Sequence, residues 1–215
     1  MSVLSQLRHH KLVPVIVIDD PKSAPALGRA LFEGGLPCAE VTFRTEGARE
    51  ALSRLTGECP EVLAGAGTVL TPAQARDALD AGAKFIVAPG FNPSVVDYCL
   101  ENDVPVFPGI ATPTEIEAAL TRDLTVLKFF PAEPLGGVSY LKAMSAPYGA
   151  IEFMPTGGIS IQNIGSYLAF SKVVACGGSW MAPAELISAG EFARITDEVK
   201  KAVSVVQSHN GAGGA

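Results

Sequence analysis

Histidine, tryptophan and charge are scarce in this chain. Of 215 residues, three are histidine (His9, His10, His209) and one is tryptophan, while charged residues make up 18% and aromatic residues 7%. The four cysteines, Cys38, Cys59, Cys99 and Cys176, form no C-x-x-C pair, and the histidines lie toward the termini. A zinc site needs clustered Cys and His ligands, so no metal is expected. Scattered thiols read as reduced, packed side chains of a cytoplasmic protein. No apolar run reaches the roughly 18 residues that span a bilayer. The N-terminus, MSVLSQLRHHKLVPVIVIDD, holds no uninterrupted apolar core before a small-residue cleavage site, so no signal peptide is expected. Positive charge is also lacking. The formal net charge is -6 and the pI about 5.1, which leaves no footprint for nucleic acid or an anionic membrane. An anionic small molecule stays open, because backbone amides and one or two placed cations can bind it against the overall charge.

Apolar residues are abundant, at 48% with a mean hydropathy of +0.30. Without a membrane span, that excess points to a parallel sheet covered on both faces. Eight β-rich runs recur along the chain: LVPVIVI (12–18), AEVTF (39–43), VLAGAG (62–67), KFIVAP (84–89), VPVFPG (104–109), TVLKFF (125–130), IEFMPTGG (151–158) and KVVACGG (172–178). Helical segments lie between them. Thr71, Asn92 and Thr112 each precede a proline and read as N-caps, and Gly82 reads as a stop. Strand–helix alternation demands parallel strands with right-handed crossovers. Eight units predict a single-domain (β/α)8 TIM barrel over residues 1–205, with residues 206–215 (QSHNGAGGA and the residue before it) as a disordered tail. A doubly wound dinucleotide fold would place G-x-G-x-x-G after the first strand, where the chain reads VIDDP instead.

In such barrels chemistry sits at the C-terminal ends of the strands. Lys84 and Lys172 begin their strands, whereas Lys128 lies near the end of the sixth. Alternation along that strand turns Lys128 and Val126 inward, and Leu127 and Phe129 toward the helices. A strand-end lysine can simply snorkel to the rim or pair with a carboxylate. Here Phe130 and Pro131 build an apolar wall, which disfavours the ammonium form of an amine. A neutral amine can attack a carbonyl and form a Schiff base. On the second run, Glu40, Thr42 and Arg44 share one parity. Inward, Glu40 and Arg44 read either as a structural ion pair or, beside Lys128, as a proton-transfer group and a carboxylate binder. PTGGIS (155–160) and CGGSWM (176–181) follow strands seven and eight, where barrels frequently bind phosphate with these loops and a short extra helix.

The ordered set EVTFRT, GAGTVL, VAPGFNP, FPGIATPTE, LKFFPAE, PTGGI and GGSWM, from about Val13 to Met181, resembles the 2-keto-3-deoxy-6-phosphogluconate (KDPG) aldolases, also described as 4-hydroxy-2-oxoglutarate aldolases. The resemblance implies a homotrimeric class I aldolase of the Entner–Doudoroff pathway with a (β/α)8 fold, no cofactor and no metal. Its substrate would be a phosphorylated 2-keto-3-deoxy sugar acid, cleaved to pyruvate and glyceraldehyde 3-phosphate. By the same resemblance Lys128 is the Schiff-base lysine and Glu40 the general acid/base. Arg44 holds the pyruvate carboxylate with Thr68 beside it, and Pro89 and Phe130 line the pyruvyl group. Thr156 lies near the sugar hydroxyls, and Gly157, Gly158, Gly178 and Ser179 form the phosphate turns. Phe43 stands where many members carry leucine. Three alternatives remain at this level: the galactonate epimer of the substrate, a phosphosugar isomerase or lyase without covalent catalysis, and a non-catalytic phosphosugar-binding barrel.

Overall fold

A computed structural model describes residues 1–212. The order of elements is α1 (Val3–His10), β1 (Leu12–Ile16), a 3-10 turn (Pro21–Ser23), α2 (Ala24–Glu33), β2 (Cys38–Thr42), α3 (Ala48–Glu58), β3 (Leu63–Gly67), α4 (Pro72–Asp80), β4 (Ile86–Val87), α5 (Pro93–Glu101), β5 (Val106–Phe107), β6 (Gly109–Ile110), α6 (Pro113–Leu120), β7 (Val126–Phe129), α7 (Gly137–Ser145), β8 (Glu152–Pro155), α8 (Ile164–Leu168), β9 (Cys176–Gly178), α9 (Ala184–Ser188) and α10 (Phe192–Ala212). Every expected strand region contains strand, and the expected caps are present. Thr71 and Asn92 accept from the N–H groups of Gln74 and Ser94, and the Glu115 carboxylate accepts the Thr112 N–H at 2.9 Å. These contacts satisfy orphan donors of the first helical turn.

Six strands pair in the order β5-β4-β3-β2-β1-β9 and three in the order β6-β7-β8, all in parallel. The fifth expected run is split into β5 and β6 by Pro108, which has no N–H to give a ladder. On the other side, bridges Phe153–Val173 and Thr156–Gly177 tie β8 to the β9 region. The two sheets face each other: Glu40 of β2 and Lys128 of β7 belong to different sheets, yet their side chains meet. Phe129 stacks on Tyr140 of α7 with ring centroids 6.0 Å apart, so the alternation along β7 has the expected sense.

The inner face is filled by large residues set against small ones. On β3, LAGAG, a Cβ added at Gly65 would stand 2.4 Å from the ring of Phe85, and Phe85 in turn packs edge-on against Phe107 at 6.0 Å. Glycine there is the space that Phe85 occupies. At the strands' N-terminal ends, α1 was not foreseen. Its Leu7 is fully buried, and Arg8 pairs with Glu152 at the start of β8. Helix α10 also differs from expectation. It runs on to Ala212 through most of the expected tail, because Val199, Ala202 and Val206 form a packed stripe at helical spacing against the core. The last expected tail residues, 213–215, lie outside the described residues.

Gly65→Ala overpacks this interior. It should destabilise the fold by about 1–3 kcal/mol, read as a lower urea midpoint at unchanged slope.

Candidate functional site

Glu40 is placed by its neighbours on both sides, pairing in register with Val15 of β1 and Gly65 of β3. It is 1% exposed and Lys128 is 4% exposed. Lys128 Nζ donates to Glu40 Oε1 at 3.3 Å. Space for the carboxylate comes from Gly67, where an added Cβ would lie 2.1 Å from Glu40 Oε1. Space around the lysine strand comes from Gly109, which pairs in register with Lys128 and where a Cβ would lie 2.1 Å from the carbonyl oxygen of Pro89. Lys128 Nζ also sits 5.3 Å from the centroid of the Phe130 ring.

Arg44 lies just past the end of β2. The turn that carries it is pinned by the Thr42 and Thr45 hydroxyls, which donate to the carbonyls of Ile16 and Ile18 at 2.8 and 2.7 Å. The Arg44 Nε donates to Thr68 Oγ1 at 3.0 Å. Thr68 holds this place at φ 55°, a left-handed conformation that β-branched residues rarely adopt. Such a residue costs on the order of 1–3 kcal/mol and recurs at functional sites.

Above the lysine pair opens a pocket of about 240 Å³ lined by Val15, Val17, Arg44, Phe130, Thr156, Gly157, Gly158, Ile159, Gly178 and Ser179. Seven of the residues singled out in the sequence therefore share one wall: Arg44, Phe130, Thr156, Gly157, Gly158, Gly178 and Ser179. Thr68 joins through Arg44. Lys128, Glu40 and Pro89 do not line this pocket: Lys128 and Glu40 precede Phe130 and Arg44 along the chain and so lie deeper, with Lys128 Nζ beside the Phe130 ring, and Pro89 stands behind Gly109. Gly157 and Gly158 have φ 104° and 77°, so successive left-handed residues turn the backbone here at no Cβ cost. A second pocket of about 270 Å³ shares Arg44 and Ser179 and extends to Trp180 and the start of α9.

Sequence reasoning missed Val15 and Val17; Val15 is the β1 residue that pairs in register with Glu40, and Val17 shares its parity. It also missed Trp180, whose indole packs on Gly178, where an added Cβ would be 2.5 Å from Nε1. The cysteines are free and buried. Burial pushes the Cys38 thiol up to about 12, with Glu40 adding to the shift, and burial also raises Cys176, so both remain protonated. Among the described residues no cluster of His, Cys, Asp and Glu could hold a metal, and no helix is long and apolar enough to cross a membrane.

Known proteins resemble this chain over nearly its whole length. The family model "KDPG and KHG aldolase" matches residues 3–198. A 2-dehydro-3-deoxy-phosphogluconate aldolase of Treponema pallidum is 48% identical over 206 residues, covering 96% of this chain and 98% of its own. The KDPG aldolase of Legionella pneumophila, solved with pyruvate captured at low pH as a covalent carbinolamine intermediate, superposes with a TM-score of 0.89 at 37% identity, covering 93% of this chain and 97% of its own. The 2-keto-3-deoxy-6-phosphogluconate aldolase of Zymomonas mobilis, solved with 3-phosphoglycerate, gives 0.87 at 35% identity, covering 94% of each chain.

A methyl group at position 67 would drive the Glu40 carboxylate from its place. A displacement of about 1 Å in such a site costs on the order of 10²-fold. Gly67→Ala should therefore lose turnover by about that factor while circular dichroism remains that of the parent.

Proposed function

The chain belongs to the KDPG and KHG aldolase family, and from that premise we propose how its residues work. The enzyme is a class I aldolase that cleaves KDPG to pyruvate and glyceraldehyde 3-phosphate, with 4-hydroxy-2-oxoglutarate as a second substrate. The observation that carries the residue roles is the buried Lys128–Glu40 contact at 3.3 Å beneath a pocket bearing Arg44 and the glycine turns. A buried ion pair is weak evidence for stability, since desolvation offsets much of its attraction. An amine and a carboxylate within proton-transfer reach is what imine chemistry needs.

In this reading Glu40 first takes a proton from Lys128, and the neutral amine so formed attacks the C2 ketone. Glu40 returns a proton to the carbinolamine hydroxyl, water leaves, and a protonated imine forms. Glu40, directly or through a water, then takes the C4 hydroxyl proton as the C3–C4 bond breaks. The bonding electrons move into the imine, which becomes an enamine, and glyceraldehyde 3-phosphate departs. Protonation at C3 gives the pyruvate imine, and water releases pyruvate and the free lysine. Arg44, steadied by Thr68, holds the carboxylate so that the imine keeps one orientation. Pro89 and Phe130 shape the apolar surroundings of the pyruvyl group, and Thr156 meets the sugar hydroxyls. Gly157, Gly158, Gly178 and Ser179 receive the phosphate, whose remote binding energy is used at the reacting carbons.

The same proposal covers the closed (β/α)8 barrel. Support comes from the strand run that continues across Pro108 and from the bridges between β8 and the β9 region. It covers one domain, argued from the eight strand–helix units, a cytoplasmic location, argued from the scattered thiols, and a homotrimer, carried by the family resemblance alone.

Lys128→Ala should abolish pyruvate release from KDPG in an assay coupled to lactate dehydrogenase. Glu40→Gln should slow it by about 10²–10⁴-fold, the usual worth of a positioned acid/base, with a parental melting profile. Normal turnover in the glutamine variant would remove the role given to Glu40.

A further inference from the structure

We propose that Tyr167 and Glu133 are positioning residues that hold the phosphate turn against the segment following Lys128, so that preference for a phosphorylated substrate depends on one tyrosine hydroxyl. The inference rests on the reading of Gly157 and Gly158 as the phosphate turn.

Glu133 follows Lys128 on the segment between β7 and α7. Its N–H donates to the Gly157 carbonyl at 3.0 Å, and the Ala132 N–H donates to the Thr156 carbonyl at 2.8 Å. These bonds carry the β7–β8 pairing past the strand ends into the turn. The stem of Glu133 also lies on Gly158, where an added Cβ would be 2.6 Å from its Cβ and 2.9 Å from its Cγ. Glu133 thus touches both glycines of the turn. Glu133 is an exposed residue that does not line the pocket at the turn, but a carboxylate freed to swing toward an incoming phosphate would repel it.

Tyr167, on α8, fixes where that carboxylate sits. Its hydroxyl donates to Glu133 Oε1, and its side chain is fully buried. Burial first, and then the bond to Glu133, raise the phenol above its ordinary range, so it stays a donor. Gly137 leaves room for the contact, since a Cβ there would be 2.8 Å from Glu133 Oε1 and 3.2 Å from Tyr167 Oη. Helix α8 is itself tied to the turn. The Asn163 side chain donates to the Gly158 carbonyl at 3.0 Å and accepts the Ser160 N–H at 2.8 Å. A closed circuit results: turn to α8 through Asn163, α8 to Glu133 through Tyr167, Glu133 back to the turn. The strand that carries Lys128 enters the circuit at Glu133. A bond that touches neither reactant nor phosphate therefore helps hold the turn against the segment that follows the reacting amine.

The test compares KDPG with 4-hydroxy-2-oxoglutarate, which carries no phosphate. Tyr167→Phe keeps the ring and frees the carboxylate. Its kcat/KM on KDPG should fall about tenfold, mainly through KM, and stay within about twofold of the parent on 4-hydroxy-2-oxoglutarate. Adding Glu133→Gln removes the freed charge and should recover part of the loss on KDPG. Equal losses on both substrates would mean a structural role only and overturn the inference. A parent that favours KDPG and a Tyr167→Phe variant that keeps the same ratio would also overturn it. A parent with no preference for KDPG would instead overturn the phosphate-turn reading beneath it.

Discussion

The contact between Lys128 and Glu40 crosses from one sheet to the other, and the arrangement around it depends on that crossing. Two charged side chains at 4% and 1% exposure are costly to bury. The surrounding chain makes specific room for them. Gly67 clears the carboxylate, and Gly109 lets the Pro89 backbone close on the lysine strand. The pair has little to recommend it as a source of stability. Its place beneath a pocket at the strands' C-terminal ends makes sense as stored reactivity, set where water is largely absent. The opposite ends of the strands are covered by α1, whose Leu7 is buried and whose Arg8 meets Glu152.

The site has two halves with different physics. The lower half is an amine, a carboxylate and an aromatic ring, close-packed and buried. The upper half is backbone: the turns at Gly157–Gly158 and after β9, with Arg44 at the rim held by a strained Thr68. In the proposed mechanism chemistry belongs to the first half and recognition to the second. The segment from Lys128 to Glu133 is short enough to join them, so a shift in one half is felt in the other. Binding energy gathered at a distant phosphate is useful only if that connection is stiff.

Much of this was legible in the residues alone. The strand–helix alternation, the Thr71, Asn92 and Thr112 caps, and the inward parity of Lys128 and Glu40 follow from local pattern. They are decided by turn chemistry and by period-2 alternation. The split of the fifth strand was visible as Pro108 in hindsight. What stayed hidden was tertiary. Nothing near residue 7 announces that α1 covers one end of the strands. The glycine-rich tail drew attention from Val206, which continues at helical spacing the packed stripe of Val199 and Ala202 before it. The Tyr167–Glu133 bond spans 34 residues, and Tyr167 alone reads as an ordinary core aromatic.

The central claim is that Lys128 forms a covalent imine with the substrate ketone. The most direct measurement is to incubate the protein with pyruvate, reduce with borohydride, digest and locate the added mass. The account predicts a stable adduct on the peptide that contains Lys128. No adduct, or one on Lys84 or Lys172, would contradict it.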